Sequence, residues 1–168
     1  YLLFFDYKDY IKRTNLRGNE QILEVGCGEG NLSRFILERI PDGKLTCLDS
    51  SDYWIKKAIE KLGEKNNIQF ILEDISNSKL KCLDYDSIFL HYVLHDICKE
   101  KRNGLIKELK YSLRTWGKIY LREPIRKNHG LPPEEIEDLM DNAKLKKKYS
   151  RSYFHPLMRD VYEGIFER

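Results

Sequence analysis

Short apolar runs alternate with longer amphipathic runs along this chain, which is typical of a doubly wound α/β fold. The apolar runs predict strands at 21–25, 44–48, 68–72, 86–91 and 118–123. Between them, apolar residues recur at helical spacing and predict helices at 31–40, 52–65 and 99–115. A leading helix is predicted at 6–17, before Gly18. We therefore expect a mostly parallel sheet with helices on both faces.

The last part of the chain is predicted to close the sheet with a helix and an antiparallel hairpin. Pro132 and Pro133, followed by acids, indicate a helix start, and this helix runs to about Leu145. Two β-like runs at 146–154 and 159–166 then predict the hairpin. Pro124 is expected to end the fifth strand, because proline has no amide to donate to a ladder.

Composition narrows the class of protein only modestly. The 168 residues are enough for one domain with a sizeable core, and a net charge of +3 is too small to argue for a nucleic-acid partner. The four cysteines form no C-x-x-C pair, so we expect a reducing, cytoplasmic location and no metal site. No run of 18 apolar residues is present, so no membrane partner is expected.

The most specific motif follows the first strand, where Gly26, Gly28 and Gly30 occupy every second position. Glycines allow sharp turns and let a ligand approach the backbone, and the next helix start favours an anionic group. The dinucleotide fingerprint would need its third glycine at position 31, which holds Asn31. With Glu24, the pattern E-x-G-x-G-x-G instead resembles motif I of class I S-adenosylmethionine-dependent methyltransferases.

Acids follow the next two strands. Asp49 comes 23 residues after Gly26, close to the spacing of about 20 for an acid that binds ribose hydroxyls. Asp74 follows the third strand, and its carboxylate suits the amine donor of adenine. Two alternatives stay open: Asp49 caps the helix that begins near Ser51, or Asp74 is an ordinary loop acid.

The fourth strand extends the resemblance. Residues 85–97, with Tyr85-Asp86 and Val93-Leu94-His95, are similar to a segment found in many small-molecule methyltransferases of this class. The resemblance implies a seven-stranded sheet and one methyltransferase domain over 1–168, with a lid helix at 1–17, a cofactor core at 21–123 and a closing part at 124–168. It implies S-adenosyl-L-methionine as cofactor, with S-adenosyl-L-homocysteine as product. The implied cofactor-binding residues are Glu24, Gly26, Cys27, Gly28, Asp49, Ser50, Asp74, Ile75 and His91.

No catalytic residue is assigned, because methyl transfer from a sulfonium depends mostly on alignment of the reactants. His95 and Glu123 are the candidates, since His95 follows the fourth strand and Glu123 ends the fifth, at the edge where open α/β sheets bind ligands. His95 suits a general base near neutral pH. The alternative for both residues is a structural role.

The acceptor is predicted to be a small molecule. The chain has no [DNS]-P-P-[YFW] motif for amino acceptors and no Pro-Cys pair for cytosine. The lysine-rich run at 144–151 keeps an RNA acceptor open, although an edge strand protected by lysines explains it as well. A protein acceptor, a homodimer and a catalytically silent cofactor-binding module also stay open.

Overall fold

The computed structural model describes residues 2–75, 84–126 and 129–168, with side chains from residue 6 onward. Contacts divide the chain into two compact units, Tyr1–Ile75 and Ser76–Arg168, called here the first and the second unit. Within the described ranges, no helix has both the length and the apolar character needed to cross a membrane.

The first unit is an alternation of helices and parallel strands. Its elements are α1 (Leu2–Arg13), β1 (Gln21–Val25), α2 (Asn31–Arg39), β2 (Lys44–Asp49), α3 (Asp52–Leu62) and β3 (Ile68–Leu72). Strand β2 lies between β1 and β3 and pairs with both in parallel. Because the register aligns Val25 with Leu48 and Asp49 with Leu72, the carboxyl ends of all three strands lie at one edge.

Burial explains why the sequences of β1 and β2 are nearly continuous runs of apolar residues. Four of the five residues of β1 and five of the six residues of β2 are buried, as expected for parallel strands covered on both faces. Helix α3 ends at Leu62, earlier than the predicted residue 65, because Gly63 adopts a φ of 71° that helical residues do not. Helix α1 spans Leu2–Arg13, so the predicted end at residue 17 is wrong.

The second unit combines a parallel pair with an antiparallel hairpin. Its elements are β4 (Tyr85–His91), a 3-10 helix (Leu94–Asp96), α4 (Lys99–Ser112), β5 (Leu113–Arg126), β6 (His129–Gly130), α5 (Pro133–Asn142), β7 (Lys146–His155) and β8 (Arg159–Glu167). Strand β5 pairs with β4 in parallel and with β8 antiparallel, and β7 completes the hairpin with β8. The predicted α/β class with a mostly parallel sheet and a closing antiparallel hairpin is therefore confirmed.

Strand β5 is much longer than predicted at both ends. Helix α4 stops at Ser112, so the predicted helix end at residue 115 is wrong. The predicted stop at Pro124 is also wrong, because Pro124 pairs with Val161 inside the β5–β8 ladder. Proline removes one donor, but its carbonyl still accepts a hydrogen bond from the Leu131 amide at 2.9 Å. The predicted division into lid, core and closing part stays a prediction.

Candidate functional site

The glycine loop between β1 and α2 is fixed by backbone hydrogen bonds to the end of β2. The amides of Gly26 and Cys27 both donate to the Leu48 carbonyl, at 2.7 Å and 3.1 Å. Gly26, Gly28 and Gly30 have φ angles of 67°, 53° and 81°, in the left-handed region that favours glycine. All three glycines therefore adopt a backbone conformation that glycine reaches without the steric cost of a Cβ.

Two of these glycines differ in what surrounds them. A Cβ on Gly30 would lie 2.8 Å from a methyl carbon of Leu62, so this position keeps α2 close to α3. A Cβ on Gly28 would meet no atom within 4 Å. Gly28 thus faces open space, as a position that a ligand approaches should. Gly30 also begins α2 without a side-chain cap, which leaves first-turn amides available to an anionic group.

Asp49 joins this loop to the start of α3. One carboxylate oxygen accepts from the Gly28 amide and the other from the Ser51 amide, each at 2.9 Å. The residue that caps α3 is Ser51, whose hydroxyl accepts from the Trp54 amide, so the reading of Asp49 as that cap is wrong. Each carboxylate oxygen has a second lone pair, which can accept from a hydroxyl of a ligand.

Glu24 is a buried acid directly behind the loop. It is 2% exposed and accepts a hydrogen bond from the Ser33 hydroxyl at 2.5 Å. Its pKa is raised to about 8, chiefly because burial penalises the charged form. The Asp49 carboxylate raises this pKa as well, whereas the Ser33 hydrogen bond lowers it. At neutral pH the Glu24 carboxyl is therefore protonated in most molecules.

The remaining predicted residues of the first unit lie at the same strand edge. The Glu73 amide donates to the Asp49 carbonyl at 2.9 Å, which places Asp74 immediately beyond the end of β3. Asp74 and Ser50 are exposed, whereas Ile75 and Cys27 are buried. Eight of the nine predicted cofactor residues thus belong to the first unit, and the end of β1, β2 or β3 positions most of them.

His91, the ninth predicted residue, ends β4 in the second unit. A row of polar residues crosses the sheet from this position. His91 of β4 lies opposite Arg122 of β5, Arg122 lies opposite Glu163 of β8, and Glu163 lies opposite Arg151 of β7. One Glu163 oxygen accepts from Arg122 Nε at 3.0 Å and from Arg151 Nη2 at 3.2 Å. Burial and then the Arg122 charge hold the pKa of His91 well below its usual value, so this ring is neutral.

Glu123 organises the loop that follows β4. It is fully buried, and one oxygen accepts from the amides of Val93 and Leu94 at 2.8 Å and 2.6 Å. The other oxygen lies 2.7 Å from Nδ1 of His95. This hydrogen bond is the main cause that raises the pKa of His95, and burial of the ring opposes it. The structure therefore brings the two predicted catalytic candidates into direct contact.

Sequence reasoning missed the residues whose partners are distant in the chain. Ser33 contacts Glu24 from the first turn of α2, and the available signal was a polar residue on the buried face of that helix. Arg122 is fully buried, although its position next to Glu123 gives no sign of this. The described residues contain no cluster of three or more His, Cys, Asp or Glu side chains suited to a metal ion.

Comparison with known families decides what kind of domain carries this loop. The model of a family described as "methyltransferase domain" matches residues 22–117, more than half of the 168 residues. The chain belongs to this methyltransferase family. The match begins in β1, and it includes the glycine loop, Asp49 and the loop after β4.

Individual relatives agree with this assignment over part of their length. An uncharacterised methyltransferase of Schizosaccharomyces pombe is 28% identical over 114 residues, which are 67% of this chain and 43% of that protein. A trans-aconitate 2-methyltransferase of Rhodococcus jostii is 33% identical over 66 residues, 36% of this chain and 26% of that protein. The chain thus spans less than half the length of these curated relatives.

A solved structure shows the same fold. The crystal structure of Burkholderia thailandensis 1,6-didemethyltoxoflavin-N1-methyltransferase, with 1,6-didemethyltoxoflavin and S-adenosylhomocysteine bound, has a TM-score of 0.80. The match covers 98% of this chain and 77% of that chain at 14% identity. At this identity the likeness concerns the fold of the methyltransferase domain.

Proposed function

We propose that this methyltransferase domain binds S-adenosylmethionine and transfers its methyl group to a small-molecule acceptor. The observation that carries the proposal is the contact between Gly28 and Asp49 at the ends of β1 and β2. A glycine that faces open space donates its amide to a carboxylate that keeps acceptor capacity. An adenosine ligand needs both features, an accessible backbone and an acid for the ribose hydroxyls.

The residues of the first unit fit this cofactor by their chemistry. Asp49 would accept from the ribose hydroxyls, and the bare backbone of Gly26, Cys27 and Gly28 would receive the methionyl part. The carboxylate of that part suits the uncapped start of α2.

The predicted adenine side of the site comprises acidic and apolar positions. Asp74 would accept from the adenine amine, and buried Ile75 and exposed Ser50 lie at the same strand edge. Glu24 supports the loop from behind, and His91, neutral at the end of β4, is proposed as a further cofactor contact.

In the proposed reaction the protein aligns the acceptor with the methyl group of the cofactor and accepts one proton from the acceptor. The cofactor supplies an activated methyl group on a sulfonium. His95 is proposed as the general base that takes a proton from the acceptor, which is worth about 10²–10⁴-fold in rate. Glu123 holds the His95 ring through Nδ1 and is fully buried, so we assign it a positioning role.

A small acceptor is favoured over a nucleic acid by the charges on β7. Two of the three lysines at the start of this edge strand form ion pairs, Lys147 with Glu137 at 2.8 Å and Lys148 with Glu167 at 3.1 Å. These pairs fit an edge strand protected by charge better than a polyanion site. The relatives named for trans-aconitate and for 1,6-didemethyltoxoflavin also concern small molecules.

A methyl-transfer assay with labelled cofactor and a pool of small metabolites tests this function. We expect label in a small-molecule product with the wild type and strong loss of label with Asp49→Ala. Asp52→Ala is the matched control, because Asp52 lies on the exposed start of α3 and pairs only with Lys56 among the described contacts. Equal labelling by both variants would contradict the proposed site. Cofactor binding without any labelled product would favour the catalytically silent module.

A further inference from the structure

Arg126, at the carboxyl end of β5, has no hydrogen-bond or ion-pair partner among the residues that the structure describes. Its side chain is half-buried, and its Nε is shielded from solvent without a hydrogen-bond partner among residues 2–75, 84–126 and 129–168. No ion pair joins its guanidinium to a carboxylate in these ranges. A shielded N–H without an acceptor is unfavourable, because it has lost its bond to water without replacement.

Other arginines of the second unit differ from Arg126 in having a carboxylate partner, including Arg151, whose Nε is shielded without a partner as well. Four arginines of the second unit contact a carboxylate at 2.7–3.2 Å: Arg102, Arg114, Arg122 and Arg151. Arg122 and Arg126 both belong to β5, so the same strand holds one arginine with a buried acid and one without. Arg168 donates instead to the backbone carbonyls of Lys110, Tyr111 and Leu113. Among the described residues, Arg126 contacts neither a carboxylate nor a backbone carbonyl.

The surroundings of Arg126 connect it to the proposed base. The β5–β6 register sets Arg126 directly opposite His129, and directly opposed residues of an antiparallel pair share a face. The His129 ring lies edge-on to the His95 ring, with centroids 4.7 Å apart. His95 is in turn held by Glu123. Arg126 thus lies next to the groups that would handle the acceptor's proton.

We infer that Arg126 binds a carboxylate group of the methyl acceptor, beside His129 and His95. The planar guanidinium presents paired N–H donors that match a carboxylate, and a bound carboxylate would also satisfy the shielded Nε. The acceptor class is therefore an organic acid. That the bound acid is the methyl acceptor rests on the proposed function. That Arg126 binds a carboxylate does not depend on that function.

Nuclear magnetic resonance tests the site directly through the Nε–H signal of Arg126, assigned by its absence in Arg126→Gln. Sodium succinate and sodium acetate are titrated at constant ionic strength, with succinamide and sodium phosphate as comparison ligands. We expect a saturable shift with the carboxylates and none with succinamide. An unshifted signal with both carboxylates, or a response to phosphate alone, would overturn the inference.

The affinity change is measured with matched variants. Loss of a charge-assisted hydrogen bond predicts about 10- to 100-fold weaker succinate binding in Arg126→Gln. Arg114→Gln, at the opposite end of β5, is the control and should bind succinate as the wild type does. Arg126→Lys keeps the charge but removes the paired donors, so its affinity for succinate should lie between those of the wild type and Arg126→Gln. Thermal denaturation checks that each variant is folded, and equal affinity in all of them would overturn the inference.

The same samples separate this inference from the proposed function. S-adenosylhomocysteine binding, measured by calorimetry, should be equal in wild type, Arg126→Gln and Arg114→Gln. If the wild type binds S-adenosylhomocysteine but not succinate, the anion site is wrong and the cofactor site stands. If succinate binds and S-adenosylhomocysteine does not, the carboxylate site stands and the proposed function fails.

Discussion

Replacement of Glu24 by glutamine should change how the stability of this protein depends on pH. The glutamine keeps the shape of the side chain and an oxygen that can accept from Ser33, but it cannot ionise. In the wild type burial raises the pKa of Glu24 to about 8, from its usual value of 4.5. Between these values the native state holds a proton that the unfolded state has lost, so rising pH destabilises the wild type.

The magnitude follows from the size of the pKa difference. Each pH unit between about 4.5 and 8 removes about 1.4 kcal/mol from the unfolding free energy of the wild type relative to the variant. Over the whole interval the difference approaches roughly 5 kcal/mol. Urea denaturation at a series of pH values, followed by fluorescence, measures both curves. The two proteins should have similar stability near pH 4, and Glu24→Gln should be the more stable near pH 8.

A matched variant isolates the effect of burial. Glu38 lies on α2, the helix that carries Ser33, and its side chain is 58% exposed, so Glu38→Gln should follow the wild-type curve within a few tenths of a kcal/mol. Parallel curves for wild type and Glu24→Gln across this pH range would refute the reasoning about Glu24. They would mean that the buried carboxyl has an ordinary pKa.

Three further substitutions test single features of the fold and site. Gly30→Ala should destabilise by about 1–2 kcal/mol in thermal denaturation, since its φ is 81° and its Cβ would lie 2.8 Å from a side chain of α3. The control Gly104→Ala, in open space within α4, should stabilise the protein by about 0.5–1 kcal/mol. A Gly30→Ala variant that is more stable than Gly104→Ala would contradict this reasoning. Glu123→Gln should lower the pKa of His95 in an NMR titration, because the bond to the carboxylate raises it; an unchanged pKa would show that Glu123 does not control the ring. Arg122→Ala should destabilise by about 3–5 kcal/mol in urea denaturation, because it breaks a buried ion pair, and a loss below about 1 kcal/mol would contradict that role.

The part of the site that could be predicted from sequence is the part formed by local chemistry. Three glycines at alternate positions after an apolar strand indicate a turn with positive φ, and the structure has this turn. Asp49 was predicted from its spacing, since an acid that follows the next parallel strand must reach the same edge. Its contact with Gly28 shows that the strand order does bring these positions together. Whether they bind the cofactor stays a prediction.

The rest depends on pairing between distant strands. The ion pair of Arg122 with Glu163 follows from the β5–β8 register, which no local pattern encodes. The continuation of β5 through Pro124 has the same origin, since the ladder with β8 outweighs the loss of one donor. Tertiary pairing of this kind overrides local propensity, so strand ends were the least accurate predictions.

Calorimetric titration of S-adenosylhomocysteine tests the central claim, that the ends of β1 and β2 form the cofactor site. We expect saturable binding by the wild type, binding weaker by about 1.5–3 kcal/mol in Asp49→Ala, and no comparable binding of NAD. Binding of NAD without any response to S-adenosylhomocysteine would contradict this claim, and so would an Asp49→Ala variant that binds S-adenosylhomocysteine as tightly as the wild type.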